Sequence, residues 1–380
     1  MIGAASFGRR LDGLAQAIGR GGLDAALIGV GPELEWSTGY AAYGLERLTL
    51  LVVRPGGVAG IIVPRLEAPA AMTASAMAAG TVPIVPWDET DDPMSLVPGL
   101  VAAGGPAPTR VAVSDGLRAA FVLALQAVLP SARFELASTV VSPLRRVKDA
   151  EEIDLLRAAA AAADRVIAAV IAGPLIGRTE ADIAAEVRAR LVGAGHQTAE
   201  FAIVAGGPNS ASPHHEPSDR PVKEGEPLLF DIGGRRGGYC SDITRTVWVS
   251  GPSGAGPDAD FSRIYDLVRV AQATACEAVR PGVTFEGLDR AARDVISAGG
   301  HGTDFFHRLG HGIGLEVHED PYLVEGHTAA VRPGEAFSIE PGISLEGRYG
   351  VRIEDQVVCT SDGVDRLNRA PRDLLIVAGT

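Results

Sequence analysis

Residues 226–246 read Glu226-Pro-Leu-Leu-Phe-Asp-Ile-Gly-Gly-Arg-Arg-Gly-Gly-Tyr-Cys-Ser-Asp-Ile-Thr-Arg-Thr246. The apolar run Leu228, Leu229 and Phe230 ends in a carboxylate, Asp231. A glycine-rich stretch follows, and Asp242 then leads into Ile243, Thr244, Thr246, Val247 and Trp248. β-Branched and aromatic residues on either side of glycines predict strand, wide turn, strand. Folded back, such a hairpin brings Asp231 and Asp242 to one site. A carboxylate at the end of an apolar strand is costly unless a charged partner meets it. Taken alone, the hairpin is equally compatible with a metal ion and with an arginine.

The same pattern recurs downstream. Residues 222–233 align without a gap with 331–342, which sets Asp231 opposite Glu340. Residues 179–195 align likewise with 284–300, with Thr179 and Thr284 at predicted helix starts and Gly195 and Gly300 at the stops. Glu354 follows the turn 347–350 as Asp242 follows its own turn. Two copies are too few for a solenoid. They predict one domain of internal pseudo-two-fold symmetry, each half an α/β unit. Between the halves stands Gly310-His-Gly-Ile-Gly-Leu-Glu-Val-His-Glu-Asp-Pro321. Glycines flanking His311 let the backbone come close to a ligand. Four carboxylates converging on one place repel and shift one another's pKa. Two divalent cations remove that repulsion. Four carboxylates and one imidazole form a mostly hard donor set, which favours manganese, cobalt or iron(II) and is compatible with zinc. The HExxH pattern of a mononuclear zinc site is absent.

Composition narrows the class. A length of 380 residues suggests roughly two to three domains, 46% hydrophobic residues are ample for a packed core, and few aromatics make that core aliphatic. A net charge of -13 argues against nucleic acid as the main partner, because phosphate contacts need a basic face. Three cysteines without CxxC spacing indicate neither a disulfide framework nor a zinc ribbon, and a reducing cytoplasm is their simplest home. No signal-peptide core stands in residues 1–10, and the alanine run 158–163 is broken by Asp164 and Arg165, so no membrane span is expected. All eight histidines lie between His196 and His327, which assigns histidine chemistry to the second half of the chain.

Read in order, residues 8–22 predict a helix, 25–30 a strand, and 36–40 a turn. A hairpin is expected over 48–53 and 58–63, a helix over 66–79, strands at 82–86 and 110–113, and a helix over 116–128. This is a mixed α/β domain, residues 1–142, with no catalytic constellation. A linker around 140–148 leads to the second domain, residues 143–380. A long helix opens it with Glu151 and Glu152 in the first turn. Residues 206–221 form a polar loop that holds His214 and His215.

These residues carry a resemblance. The chain resembles the pita-bread metallopeptidases, a family that includes Xaa-Pro dipeptidase (prolidase), aminopeptidase P, methionine aminopeptidase and the metal-free creatinases. The similarity covers the whole chain, and the first domain with 144–153, Leu-Arg-Arg-Val-Lys-Asp-Ala-Glu-Glu-Ile, resembles the prolidase and aminopeptidase P branch. The resemblance implies a creatinase-like α/β first domain and a pseudo-two-fold pita-bread α+β second domain. It implies metal ligands Asp231, Asp242, His311, Glu340 and Glu354, holding two divalent ions. It further implies attack on the scissile carbonyl by a hydroxide that bridges them, with Glu340 as proton shuttle. His318 and His214 match substrate-contacting histidines of the family. His307 and Arg352 are expected beside the pocket, and Tyr239 near the ligands. The implied substrate is a small peptide with proline second, and the implied assembly a homodimer.

Blander readings stand beside several of these. His215 and His327 read as solvated loop residues, His301 as a helix-end residue, Arg235 and Arg236 as an exposed turn, and Cys240 as a small buried residue. Three activities share the motifs: dipeptidase, aminopeptidase on longer Xaa-Pro peptides, and an amidohydrolase cutting a non-peptide C–N bond. A dipeptidase must hold a free carboxylate, yet no lysine or arginine lies between His318 and Arg332. Arg352, a histidine or the first domain of a second subunit are the alternatives.

Overall fold

A computed structural model describes residues 2–379. The chain forms two compact units, Met1–Arg145 and Arg146–Thr380.

The first unit is built on a six-stranded mixed sheet. Its strands are β1 Ala25–Gly29, β2 Leu50–Arg54, β3 Gly57–Pro64, β4 Ile84–Trp87, β5 Arg110–Val113 and β6 Arg133–Leu136, in the order β4-β3-β2-β1-β5-β6. Every residue of β1 is buried, as its central place and its apolar run require. Arg54 pairs with Gly57 and closes the expected hairpin. The turn expected at 36–40 is instead mostly helix, Pro32–Thr38, begun by a proline in its first turn and ended by Gly39 at φ 77. The helix expected over 66–79 is two short ones, Ala68–Met72 and Ser75–Ala78. Two thirds of the expected linker, 140–145, is helical, as the end of helix Ser138–Arg145, despite Pro143.

The second unit repeats one motif. Helix Ala150–Ile171 starts at a capping box: the Asp149 carboxylate accepts from Glu152 N at 3.0 Å, and the Glu152 carboxylate accepts from Asp149 N at 2.9 Å. Helix Glu180–Gly193 is capped by Thr179, and helix Phe285–Ala298 by Thr284. Helix Ala259–Ala278 stands in the second half where Ala150–Ile171 stands in the first. One sheet holds β7 Thr198–Gly206, β8 Glu226–Arg236 and β9 Tyr239–Val249. The other holds β10 Gly310–Gly312, β11 Glu319–Leu323, β12 Ala336–Ile339, then, past the small hairpin β13 Gly342–Leu345 and β14 Tyr349–Arg352, also β15 Asp355–Cys359 and β16 Val364–Arg366. The last strand, β17 Ile376–Val377, returns to the first sheet beside β9, giving orders β17-β9-β8-β7 and β11-β10-β12-β15-β16.

The internal repeat is visible in backbone bonds. Thr179 bridges to Pro221 as Thr284 bridges to Ala330. Val222 N donates to Arg178 O at 2.9 Å, and Val331 N to Val283 O at 2.8 Å. The cores match too. Ile183, Val187 and Leu191 pack with Leu228 and Phe230, while Leu288, Ala292 and Ile296 pack with Phe337 and Ile339. Each fully buried aliphatic side chain contributes about 1.5–3 kcal/mol, so each half carries its own apolar anchor for one strand of the site.

Candidate metal centre

The strand β8–β9 pair sets the first half of the site. Asp231 is paired with Thr244, and Gly233 with Asp242. The two aspartates are therefore diagonal neighbours on one face of the hairpin. The wide turn expected here is tight: only Gly237 and Gly238, at φ 61 and 87, connect the strands, as a two-residue hairpin with positive φ demands. Arg235 and Arg236 thus lie in strand and are half-buried, not in an exposed turn.

The second half differs. Ile339 pairs with Asp355 in one sheet, and Gly342 pairs with Arg352 in the small hairpin. Glu340-Pro341 and Ile353-Glu354 occupy the crossing between them. Pro341 has no N–H for a continuous ladder, so the chain changes sheet at the point where the two glutamates turn inward. The halves are tied together by Thr244, whose Oγ1 donates to Glu354 Oε2 at 2.7 Å and whose carbonyl accepts from Glu354 N at 3.1 Å.

His311 closes the ring. Its Nε2 lies 3.2 Å from Glu340 Oε1 and 3.6 Å from Asp242 Oδ2. Its Nδ1 lies 3.1 Å from Gly312 O, which makes Nδ1 a donor and leaves Nε2 facing the acids. Ser338 Oγ donates to Glu340 Oε1 and accepts from His311 N, both at 3.1 Å. Ligand atoms of Asp242, His311 and Glu354 lie within 4.8 Å of one another, and all three residues are buried.

All five residues line one pocket of about 890 Å³, together with His214, His307, His318, Arg308 and Arg352. Residues 154–361 match metallopeptidase family M24, and residues 10–147 match the creatinase/prolidase N-terminal domain. The chain belongs to metallopeptidase family M24. Among M24 relatives, it is 44% identical over 375 residues to the probable dipeptidase PepE of Mycobacterium tuberculosis, covering 98% of this chain and 96% of that one. It is 36% identical over 373 residues to the Xaa-Pro dipeptidase of Lactobacillus helveticus, covering 97% and 98%. The crystal structure of dipeptidase PepE from Mycobacterium ulcerans superposes with a TM-score of 0.91 at 42% identity, covering 99% of each chain.

A metallopeptidase needs a metal, and the donor set of this M24 chain fits one. Asp231 Oδ1, Asp242 Oδ1 and Glu354 Oε1 are buried and, among the described residues, have no hydrogen-bond partner. A buried carboxylate oxygen left so is costly, and a cation removes the cost. Electrostatics agree. Burial, then the neighbouring acids Asp231 and Glu340, push the Asp242 carboxyl well above the usual carboxylate range. Glu354 is pushed up in the same way by burial and by Asp242 and Glu340. Asp231 is raised by burial, against the opposing charge of Arg352. For Glu340 burial acts upward too, but the His311 hydrogen bond and charge outweigh it and bring the carboxyl down to about 2.

The remaining residues of the M24 pocket fall out as follows. His318 is exposed, and its ring meets the His311 ring edge-on at 4.1 Å. Burial of part of the ring, with the charges of His311 and Arg308, lowers its pKa to about 4. His307 packs edge-on against Phe305 at 4.9 Å, and burial lowers its pKa as well. Arg352 Nη2 meets Asp231 Oδ2 at 2.6 Å. Tyr239 points elsewhere: its hydroxyl donates to Glu152 Oε1 at 2.7 Å, at the start of helix Ala150–Ile171. His301 bonds Asp304 at 2.8 Å near its helix end, and Cys240 is a buried free thiol.

Two residues read as solvated are not. His327 Nδ1 lies 2.6 Å from Tyr322 O, and its ring stacks near Phe285 at 4.8 Å. His215 Nε2 lies 2.8 Å from the buried carboxylate of Glu180. Glu180 also accepts from Gly206 N, Asn209 Nδ2 and Ser218 N and Oγ, so it gathers the whole loop that presents His214. Sequence reasoning missed Glu180 because its acid stands in the first turn of a helix, where acids are ordinary. It also missed Lys148, whose Nζ reaches Glu319, next to His318, at 2.5 Å.

Proposed function

We propose that the protein is a dinuclear metal-dependent Xaa-Pro dipeptidase. One observation carries the reading: three partnerless carboxylate oxygens are buried within a single pocket that also holds His311 and Glu340. The identities to an Xaa-Pro dipeptidase and to PepE dipeptidases support the substrate class.

Asp231, Asp242, His311, Glu340 and Glu354 would hold the ions, with manganese or cobalt favoured by the hard donor set. Bound there, divalent cations supply Lewis-acid polarisation of the scissile carbonyl and a water acidic enough to react near neutral pH. The chain's own groups do the rest. Glu340 is the most exposed of the four acids, at 17% for its side chain, so it can take a proton from the attacking water and give it to the departing proline nitrogen. His318 is neutral near pH 7 and donates a hydrogen bond to the carbonyl oxygen without adding repulsion to the cations. His214, held by the loop that Glu180 gathers, lines the same pocket and would contact the substrate there. Overall, water adds to the carbonyl carbon, the C–N bond breaks, and the proline nitrogen leaves protonated.

The same reading places catalysis in residues 143–380, with 1–142 as a structural domain, and takes the protein to be a cytoplasmic homodimer. Three buried free cysteines support the address, and the net charge of -13 supports a small peptide over nucleic acid as partner. The test is a screen of Xaa-Pro dipeptides against Xaa-Pro-Yaa tripeptides, with elemental analysis of the metal. Activity lost on chelation and regained with manganese or cobalt is expected, strongest on dipeptides. Preference for tripeptides would move the assignment to an aminopeptidase, and inactivity on every Xaa-Pro peptide would end it.

A further inference from the structure

We propose that Arg308 receives the free carboxylate of the dipeptide and thereby sets the preference for two-residue substrates. The inference rests on the dipeptidase reading above. In an Xaa-Pro dipeptide the free carboxylate lies one residue beyond the scissile carbonyl. It must enter a pocket walled by Asp231, Asp242, Glu340, Glu354 and Glu200. An anion enters such a place only where a fixed cation meets it.

Two arginines line the pocket, and one is already engaged. Arg352 is 5% exposed and bonds Asp231 Oδ2 at 2.6 Å, with Pro213 O and Thr244 Oγ1 each at 3.3 Å. Arg308 is half-buried and, among the described residues, has no carboxylate partner. Its guanidinium carbon instead lies 4.3 Å from the centre of the Tyr322 ring. Stacking on an aromatic face fixes the plane of the guanidinium and leaves its N–H edge free for a carboxylate.

The place is also right. Tyr322 is the register partner of His311 across β10 and β11. Paired residues on adjacent strands stand about 5 Å apart. Arg308 is therefore held one strand away from the imidazole that closes the site. No lysine or arginine follows His318 before Arg332, so reading forward from that histidine finds no anchor. The cation comes from the segment before His311 and is delivered by the fold.

The test compares an Xaa-Pro dipeptide with its C-terminal amide, using metal-replete enzyme. Wild-type enzyme is expected to prefer the acid over the amide. In Arg308→Ala that preference should fall by about 10- to 100-fold, the size of a lost charge-assisted hydrogen bond, mainly through KM on the acid. Arg308→Lys should keep part of it, and Arg308→Gln gives a second neutral variant that preserves the side-chain stem over Tyr322. An unchanged acid-to-amide preference in Arg308→Ala and Arg308→Gln, on an enzyme that cleaves dipeptides, overturns the inference alone. A wild-type enzyme that cleaves neither compound overturns the dipeptidase reading, and the inference with it.

Discussion

Arg352 and Asp231 face each other across the two halves of the repeat, Nη2 to Oδ2 at 2.6 Å. The arginine comes from the small hairpin and the aspartate from the continuous one. Arg352 also reaches the Pro213 carbonyl in the loop that carries His214. One guanidinium thus joins a candidate ligand, the opposite hairpin and a substrate loop.

Removing that guanidinium leaves Asp231 buried among other acids. Arg352→Met should destabilise the metal-free protein by about 3–5 kcal/mol, the usual cost of orphaning one member of a buried ion pair. Arg352→Lys should recover part of this, since an ammonium cannot fork to three acceptors. Urea unfolding in the presence of chelator measures it, and a loss below about 1 kcal/mol would show that the contact carries little weight.

The opposite sign is expected at Asp242 and Glu354. Each is buried with an oxygen that has no partner and with other acids nearby. Asp242→Asn or Glu354→Gln removes a repelling charge, so metal-free stability should rise by about 1–2 kcal/mol. Metal affinity should drop by more than the roughly 10–100-fold that an outer partner of a ligand is worth. Paired thermal melts and metal titrations read both effects. A variant that loses stability without metal and keeps its metal affinity would sink the assignment.

Gly310 precedes His311 and has no room for a side chain: a Cβ there would overlap the Ser338 carbonyl. Gly310→Ala should cost about 1–3 kcal/mol as an overpacked site and shift His311 away from Glu340. Metal affinity should fall with it. Gly193→Ala, where a Cβ meets nothing within 4 Å, is the control.

Glu180 supplies a pH signature. Burial alone would raise its carboxyl, but the bonds from Gly206 N, Ser218, His215 and Asn209 outweigh burial and lower it. A depressed carboxyl contributes stability that is present above its unfolded value, about 4.3, and is lost as the pH falls through the folded value. Protection of the amides over residues 206–218, corrected for the pH dependence of intrinsic exchange, should therefore fall on acidification from that point in the wild type. Glu180→Gln should show low protection there at all pH values, with a lower kcat/KM through the loosened His214 loop. Equal protection in the two proteins at pH 7 would rule this role out.

Much of the second unit was legible in the chain. The ungapped match of 222–233 to 331–342 reappears as matched backbone bonds, because capped helices and apolar strands are locally coded. The first unit was read less well at its short elements. Pro32–Thr38 and Arg133–Leu136 are too short for periodicity to separate helix, strand and turn. The direction of Tyr239 toward Glu152 could not be read either, since its partner lies 87 residues away.

By itself, the sequence determined the residue types of the site, their order and the two-fold repeat, because each motif is a local pattern of strand, glycine and acid. Only the tertiary structure decided which of them meet. The break at Pro341 turns Glu340 and Glu354 inward, and the pairing of His311 with Tyr322 brings Arg308 to the pocket. Glu180 and Lys148 acquire their roles from partners far along the chain. Charges in a buried site act through distance in space, and that distance exists only once both halves have packed.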